Sequence, residues 1–231
     1  MRVVLFGATG MVGQGVLHEC LAASDVEQVL AIGRTSTNQT HPKLQDLIQS
    51  DLYNYSDIAE TLAGFDACFF CLGVSSVGMS EEQYSRITYD LTMAAAAVLS
   101  QQNPSMTFVY VSGTGTDSSE NGNSMWAKVK GKTENALFRM PFTAAYAFRP
   151  GFIEAVHGET SKTKLYKWLY PLLKVSLPVL RALFPKWILT TKQIGLAMLN
   201  SVRTGYPKQV LEINDIRILA SAQNSMHESP H

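Results

Sequence analysis

The sequence predicts a doubly wound α/β domain built on a parallel sheet, with a small helical cap toward the C-terminus. Two patterns predict it. Short apolar runs alternate with segments of helical spacing, which is how strands covered on both faces by crossover helices read. A glycine-rich turn then joins the first apolar run directly to the first helical segment.

The elements follow in order. Arg2–Phe6 (RVVLF) is an apolar run closed by glycine and reads as a buried parallel strand. Met11 to Ala23 has helical spacing through Val12, Val16, Leu17 and Leu21. Val26–Gly33 is a second strand, and Leu47 and Ile48 belong to a third that ends near Asp51. Phe65–Gly73 is a fourth. Ser80 with Gln83 has the capping-box spacing and opens a long helix to about Gln101. Met106–Gly113 is a fifth strand, Trp126 to Arg139 a helix, and Phe142–Gly151 a sixth strand. Residues 1–220 are expected to form one domain, with 155–205 as its basic helical cap and 221–231 as a frayed polar tail.

Composition narrows the function classes. With 46% hydrophobic and 16% charged residues in 231, the chain is a folded domain and not a disordered one. The three cysteines include Cys68 and Cys71, spaced C-F-F-C but inside a buried-strand run. No histidine cluster accompanies them, so no metal site is expected. Few cysteines and a strand beginning at residue 2 lead to the expectation of a cytoplasmic protein without a signal peptide. No nucleic-acid partner is expected.

The glycine turn is the first chemical motif. In GATGMVGQG, Gly7 permits a tight turn, Gly10 lets backbone approach a pyrophosphate, and Gly13 lets helix pack closely on strand. Thr9, Met11 and Val12 complete the loop. The free N–H groups and dipole of the helix start then face the phosphates. Strand, triplet, helix and second strand stand in the order that a Rossmann dinucleotide site requires. Leu72 and Gly73, ending the fourth strand, are assigned to the same cofactor.

The second strand ends in Gly33–Arg34–Thr35–Ser36. An NAD site places an acid here for the ribose 2′-hydroxyl. An arginine and two hydroxyls suit a 2′-phosphate instead, because a guanidinium binds phosphate bidentately. The cofactor preference expected is NADP(H), with NAD(H) a weaker alternative. Asp51 and Leu52 fall where the adenine edge would lie; Asp51 equally suits a simple helix cap.

These residues resemble the atypical short-chain dehydrogenase/reductase superfamily through GxxGxxG at Gly7, Gly10 and Gly13. More narrowly, GATGMVGQGV, FFCLGVSS, VYVSGTGTDSS, WAKVKGKTENAL and FRPGFIE, taken in order, resemble the subgroup of Tat-interacting tumour-suppressor-like proteins and bacterial NAD-dependent epimerase-type proteins. The resemblance spans about residues 1–215. It implies a Ser/Thr after the fifth strand and a Tyr-x-x-x-Lys on the next helix, with the tyrosine as proton donor and the lysine on the nicotinamide ribose. Ser112 and Lys130 match the serine and the lysine. Trp126 stands in the tyrosine position, and an indole does not titrate near neutral pH. No tyrosine lies between Tyr110 and Tyr146 to replace it. Ser112 is read either as an oxyanion donor or as a strand-end hydroxyl. Pro150, in Arg149–Pro150–Gly151, resembles the family turn that passes the nicotinamide.

The charge is zero overall but unevenly placed. Thr160 to Leu211 holds nine basic residues and no acid, leaving the rest of the chain correspondingly acidic. Within it, Pro171, Pro178 and Pro185 interrupt an apolar run that also carries Lys174, Arg181 and Lys186, which argues against a membrane span. Three readings of 162–192 stand open: a lid over a small-molecule substrate, a contact with an anionic membrane surface, or a subunit contact in a homodimer. Function likewise divides in two. The chain is either an NADP(H)-dependent reductase, isomerase or epimerase with a degenerate motif, or a non-catalytic NADP(H)-binding regulatory or scaffold protein.

Overall fold

The computed structural model describes residues 1–156, 158 and 187–222. Seven parallel strands form one sheet in the order β3-β2-β1-β4-β5-β6-β9. They are β1 (Arg2–Phe6), β2 (Gln28–Gly33), β3 (Leu44–Ile48), β4 (Ala67–Phe70), β5 (Thr107–Val111), β6 (Ala144–Arg149) and β9 (Val210–Glu212). A separate parallel pair joins β7 (Phe152–Glu154) to β8 (Ile188–Thr190). All six strands expected from the sequence are present: β1 has the expected bounds, β3 begins earlier than expected, at Leu44, and the other four are shorter than their apolar runs.

Each central strand alternates its side chains between two cores. Val3, Leu5, Val29, Ala31, Phe69 and Val109 face one layer; Val4, Phe6, Leu30, Ile32, Phe70 and Phe108 face the other. On the second face the rings run in a chain, with centroids 5.1 Å apart for Phe6–Phe70 and 5.9 Å for Phe70–Phe108. That layer is covered by α3 (Leu91–Gln102) and by a short 3-10 segment, Ser56–Leu62. The helix is entered through α2 (Glu81–Ser85) and a π turn at Arg86–Asp90. Ser80 caps α2 with the expected box: its hydroxyl accepts the Gln83 N–H, and the Gln83 side chain accepts the Ser80 N–H.

The first face is covered by α1 (Met11–Ala22), by α5 (Thr191–Arg203), which lies within the segment expected to be helical, and by α6 (Ile213–Ser221), which was not foreseen. The expected cap ran from 155 to 205. Residues Thr191–Arg203 instead belong to the sheet layer: Ile194, Ala197, Met198 and Leu199 are wholly buried against α1 and the strands. Their stripe was hidden in a segment read as a lid for its lysines and prolines. The helices cross closely, since a Cβ on Gly195 would lie 3.3 Å from the Gly15 carbonyl oxygen. Lid, membrane and subunit readings of 162–192 fall largely outside the described residues, as does nearly all of the expected tail. Among the described residues, no helix is long and apolar enough to cross a membrane.

Candidate functional site

Strand order reverses between β1 and β4, and in open α/β sheets ligands bind beyond the strand ends at such a point. The glycine turn leaves β1 there. Gly7 has φ +80°, and a Cβ on it would lie 2.7 Å from the Cys71 carbonyl carbon. The turn is thus pressed against the Cys71–Gly73 loop leaving β4. A Cβ on Gly13 would lie 2.1 Å from the Gly7 carbonyl oxygen, so helix and turn touch backbone to backbone. The Gly10 N–H donates to the Gly7 oxygen at 2.9 Å and closes the turn. Gly10 caps α1 with no side-chain hydrogen bond, and the first turn holds no acid. Those helix-start N–H groups and the open space over Gly73 fit a dinucleotide pyrophosphate. Thr9, Met11, Val12 and Leu72 line this same turn and loop by their sequence positions.

At the far end of β2, Arg34 and Thr35 are exposed and make no hydrogen bond or ion pair among the described residues. Ser36 does not share that freedom. Its hydroxyl donates to Asp46 at 2.5 Å and accepts the Asn38 N–H at 2.9 Å. Of the two hydroxyls expected to serve a phosphate, only Thr35 is open. Asp51 accepts the Tyr53 N–H at 2.9 Å, which is the simple turn-forming role. Leu52 is buried in the second core.

The catalytic expectations meet on β5, α4 (Met125–Phe138) and β6. Ser112 bears on the two roles left open for it. It is buried, and its hydroxyl donates to the Glu134 carboxylate at 2.5 Å and toward the Phe148 carbonyl at 3.2 Å. Here it is engaged as a strand-end hydroxyl, the second of the two roles read from the sequence. Glu134 is fully buried and also accepts from Arg149, Nε at 3.0 Å and Nη2 at 2.5 Å. Arg149 reaches on to Glu212 at 3.3 Å and Ser118 at 2.5 Å. A bidentate buried pair therefore ties α4 to β6 and to the end of β9.

Above this network, backbone bonds zip the loop after β5 to the turn after β6. The Ser112 N–H donates to the Phe148 oxygen at 2.8 Å, and the Thr114 N–H to the Pro150 oxygen at 3.0 Å. Pro150 itself is buried. Thr114, half-buried, donates its hydroxyl to the Arg149 oxygen at 3.0 Å. It is less buried than the Ser112 hydroxyl, and no motif in the sequence singled it out. Gly131 lets α4 meet this loop, since a Cβ there would lie 1.8 Å from the Asp117 oxygen.

Lys130 points inward. Its Nζ donates to the Ser112 oxygen at 2.7 Å and lies 5.8 Å from the Tyr110 ring centroid. Burial pulls its pKa down to about 8, against the Glu134 charge, which holds it up. Trp126 is half-buried one turn earlier, with its ring against Gly115: a Cβ there would lie 3.5 Å from Cη2. Tyr110 and Tyr84 do not replace the missing phenol, being 1% and 2% exposed, with burial pushing both hydroxyls upward. Among the described residues no group of acids, cysteines and histidines could hold a metal.

Comparison with known proteins agrees with this geometry. The family model described as NAD(P)H-binding matches residues 7–140. The mitochondrial protein FMP52 of Meyerozyma guilliermondii is 26% identical over 172 residues, spanning 71% of this chain and 73% of that protein. HTATIP2 of Rattus norvegicus is 26% identical over 153 residues, 65% of this chain and 62% of that one. Two solved structures share the fold. The Bordetella bronchiseptica enzyme WbmF, in complex with NAD+, has a TM-score of 0.68 at 14% identity over 100% of this chain and 79% of its own. Gre2 of Candida albicans, in complex with NADPH, has 0.68 at 12% identity over 92% and 77%. The glycine cradle, the switch-point crevice and the family match lead to one conclusion: the chain belongs to the NAD(P)H-binding family and has a Rossmann fold.

Proposed function

We propose that this chain binds NADP(H) in preference to NAD(H) and holds it without the tyrosine proton relay of its superfamily. The observation that carries the preference is Arg34, exposed and unengaged among the described residues at the end of β2, where no acid stands to take a ribose 2′-hydroxyl. Gly7, Gly10 and Gly13 would hold the pyrophosphate, and Lys130 the nicotinamide ribose. Calorimetric titration tests it. NADPH is expected to bind at least about tenfold tighter than NADH, or roughly 1.4 kcal/mol. Equal affinities overturn the Arg34 reading.

Trp126 and the buried Ser112 hydroxyl favour a regulatory or scaffold role, since neither can pass a proton to a carbonyl oxygen. A bound nicotinamide dinucleotide supplies or accepts a hydride. The proton for a reduced carbonyl would then come from this chain's own groups. What supports that second reading is Lys130, whose Nζ lies 2.7 Å from the Ser112 backbone oxygen and whose pKa burial lowers to about 8, so that it could supply the proton. Turnover of a carbonyl panel with NADPH separates the two. The binding-protein reading expects negligible wild-type rates and a gain of about 10²-fold or more in Trp126→Tyr, the lower range of positioned proton transfer. Robust wild-type turnover refutes it.

A further inference from the structure

The chain leaving β2 does not run freely past the ribose end of the crevice. It folds back on β3. Asp46, paired in register with Ala31 of β2, collects three donors on one oxygen. These are the Ser36 hydroxyl at 2.5 Å, the Thr37 N–H at 3.0 Å and the Thr37 hydroxyl at 3.0 Å. The two hydroxyls in turn accept the N–H groups of Asn38 at 2.9 Å and Gln39 at 3.4 Å. The chain reverses at Asn38, whose φ of +56° lies in the left-handed region that asparagine tolerates. One carboxylate therefore fixes four consecutive residues. Arg34 and Thr35, which precede the clamp, are exposed, while the two clamped hydroxyl residues Ser36 and Thr37 are half-buried.

We propose that Asp46 is a positioning residue for cofactor choice: by clamping Ser36 and Thr37 onto β3, it holds Arg34 and Thr35 at the end of β2 where a ribose 2′-phosphate is bound. This rests on the NADP(H) preference proposed above. Asp46 touches no cofactor atom. Its negative charge, taken alone, would repel a 2′-phosphate. Removing it by a purely electrostatic account strengthens NADPH binding; removing the clamp weakens it. The sign of the effect decides between the two.

The experiment is calorimetric titration of NADPH and NADH on the full chain, for wild type, Asp46→Ala, Asp46→Asn, Arg34→Ala and the Asp46→Ala/Arg34→Ala pair. The expected result is a fivefold or greater loss of NADPH affinity in Asp46→Ala, with NADH within twofold of wild type. Asp46→Asn, which keeps an acceptor oxygen and sheds the charge, is expected to stay within threefold for NADPH. The double variant is expected to match Arg34→Ala, because Asp46 acts through Arg34. Unchanged or tighter NADPH binding in Asp46→Ala overturns the proposal, as does an equal loss of both cofactors. If Asp46→Ala does not fold, Asp46→Asn combined with Thr37→Val, which removes one hydroxyl donor, reads the same ratio. An Arg34→Ala variant with the wild-type NADPH/NADH ratio overturns the Arg34 reading and the Asp46 inference together. A collapsed ratio in Arg34→Ala with an intact one in Asp46→Ala overturns the Asp46 inference alone.

Discussion

Glu134 offers the sharpest test of how the site is held. Its carboxylate is fully buried, and the Arg149 side chain it grips is only 10% exposed. Truncating one partner of a buried pair leaves the other charged and poorly solvated, which costs about 3–5 kcal/mol. Glu134→Ala leaves Arg149 with Glu212, whose side chain is 49% exposed, and with the Ser118 hydroxyl. It also strips the Ser112 hydroxyl of its shortest acceptor. Partial compensation by Glu212 places the expected loss at about 3–4 kcal/mol, in the lower half of that range. For a domain of this size each 1 kcal/mol lowers Tm by about 2–4 °C, so the fall should be about 6–16 °C. Urea unfolding at pH 7, followed by far-ultraviolet circular dichroism, measures it, and an unchanged slope with a lower midpoint confirms a stability effect. The pair Glu134→Leu/Arg149→Met should recover most of the loss, because the desolvation cost leaves with both charges. A loss below about 1 kcal/mol in Glu134→Ala, or a double variant as unstable as the single, refutes the reasoning.

Two further outcomes are expected. Gly13→Ala sets a methyl 2.1 Å from the Gly7 oxygen, which only backbone separation relieves; dinucleotide binding by calorimetry should fall at least about 10²-fold, some 2.7 kcal/mol. A Gly13→Ala protein binding like wild type refutes the cradle. Lys130 has a folded pKa near 8, below its ordinary value of 10.5, so the unfolded chain binds more protons between those limits. Relative to Lys130→Met, wild-type stability should rise as pH goes from about 8 to about 10.5 and be flat below 8, with a limiting slope of about 1.4 kcal/mol per pH unit. Chemical denaturation across that range checks it; a flat difference shows that the ammonium is not held desolvated.

Much of the fold was legible because its signals are local. Apolar runs of strand length, the capping box at Ser80 and the glycine spacing at Gly7 are each contained within a few residues. β9 and α6 were not read, and α5 was expected as part of a cap and not of the sheet layer. β9 is three residues long, and α5 follows the basic proline-containing segment directly. Its core stripe is recognisable only from the face of α1 that it covers. In the site, Trp126 and Lys130 could be placed by spacing, whereas the two readings of Ser112 could not be told apart until its burial and its bond to Glu134 were seen.

The amino-acid sequence by itself determined that a glycine turn of dinucleotide-site spacing follows β1, since Gly10 and Gly13 close on Gly7 within the turn, whereas the close approach of Gly7 to the Cys71–Gly73 loop came from the pairing of β1 with β4. It also determined that no titratable phenol occupies position 126. Only the tertiary structure decided which polar groups are spent on holding the protein together. Ser112 finds Glu134 twenty-two residues away, Glu134 finds Arg149 across the sheet, and Asp46 reaches back to Ser36 from the neighbouring strand. Such pairings depend on strand order and register, which no local pattern encodes. They are also what separates a hydroxyl that braces the crevice from one that faces into it.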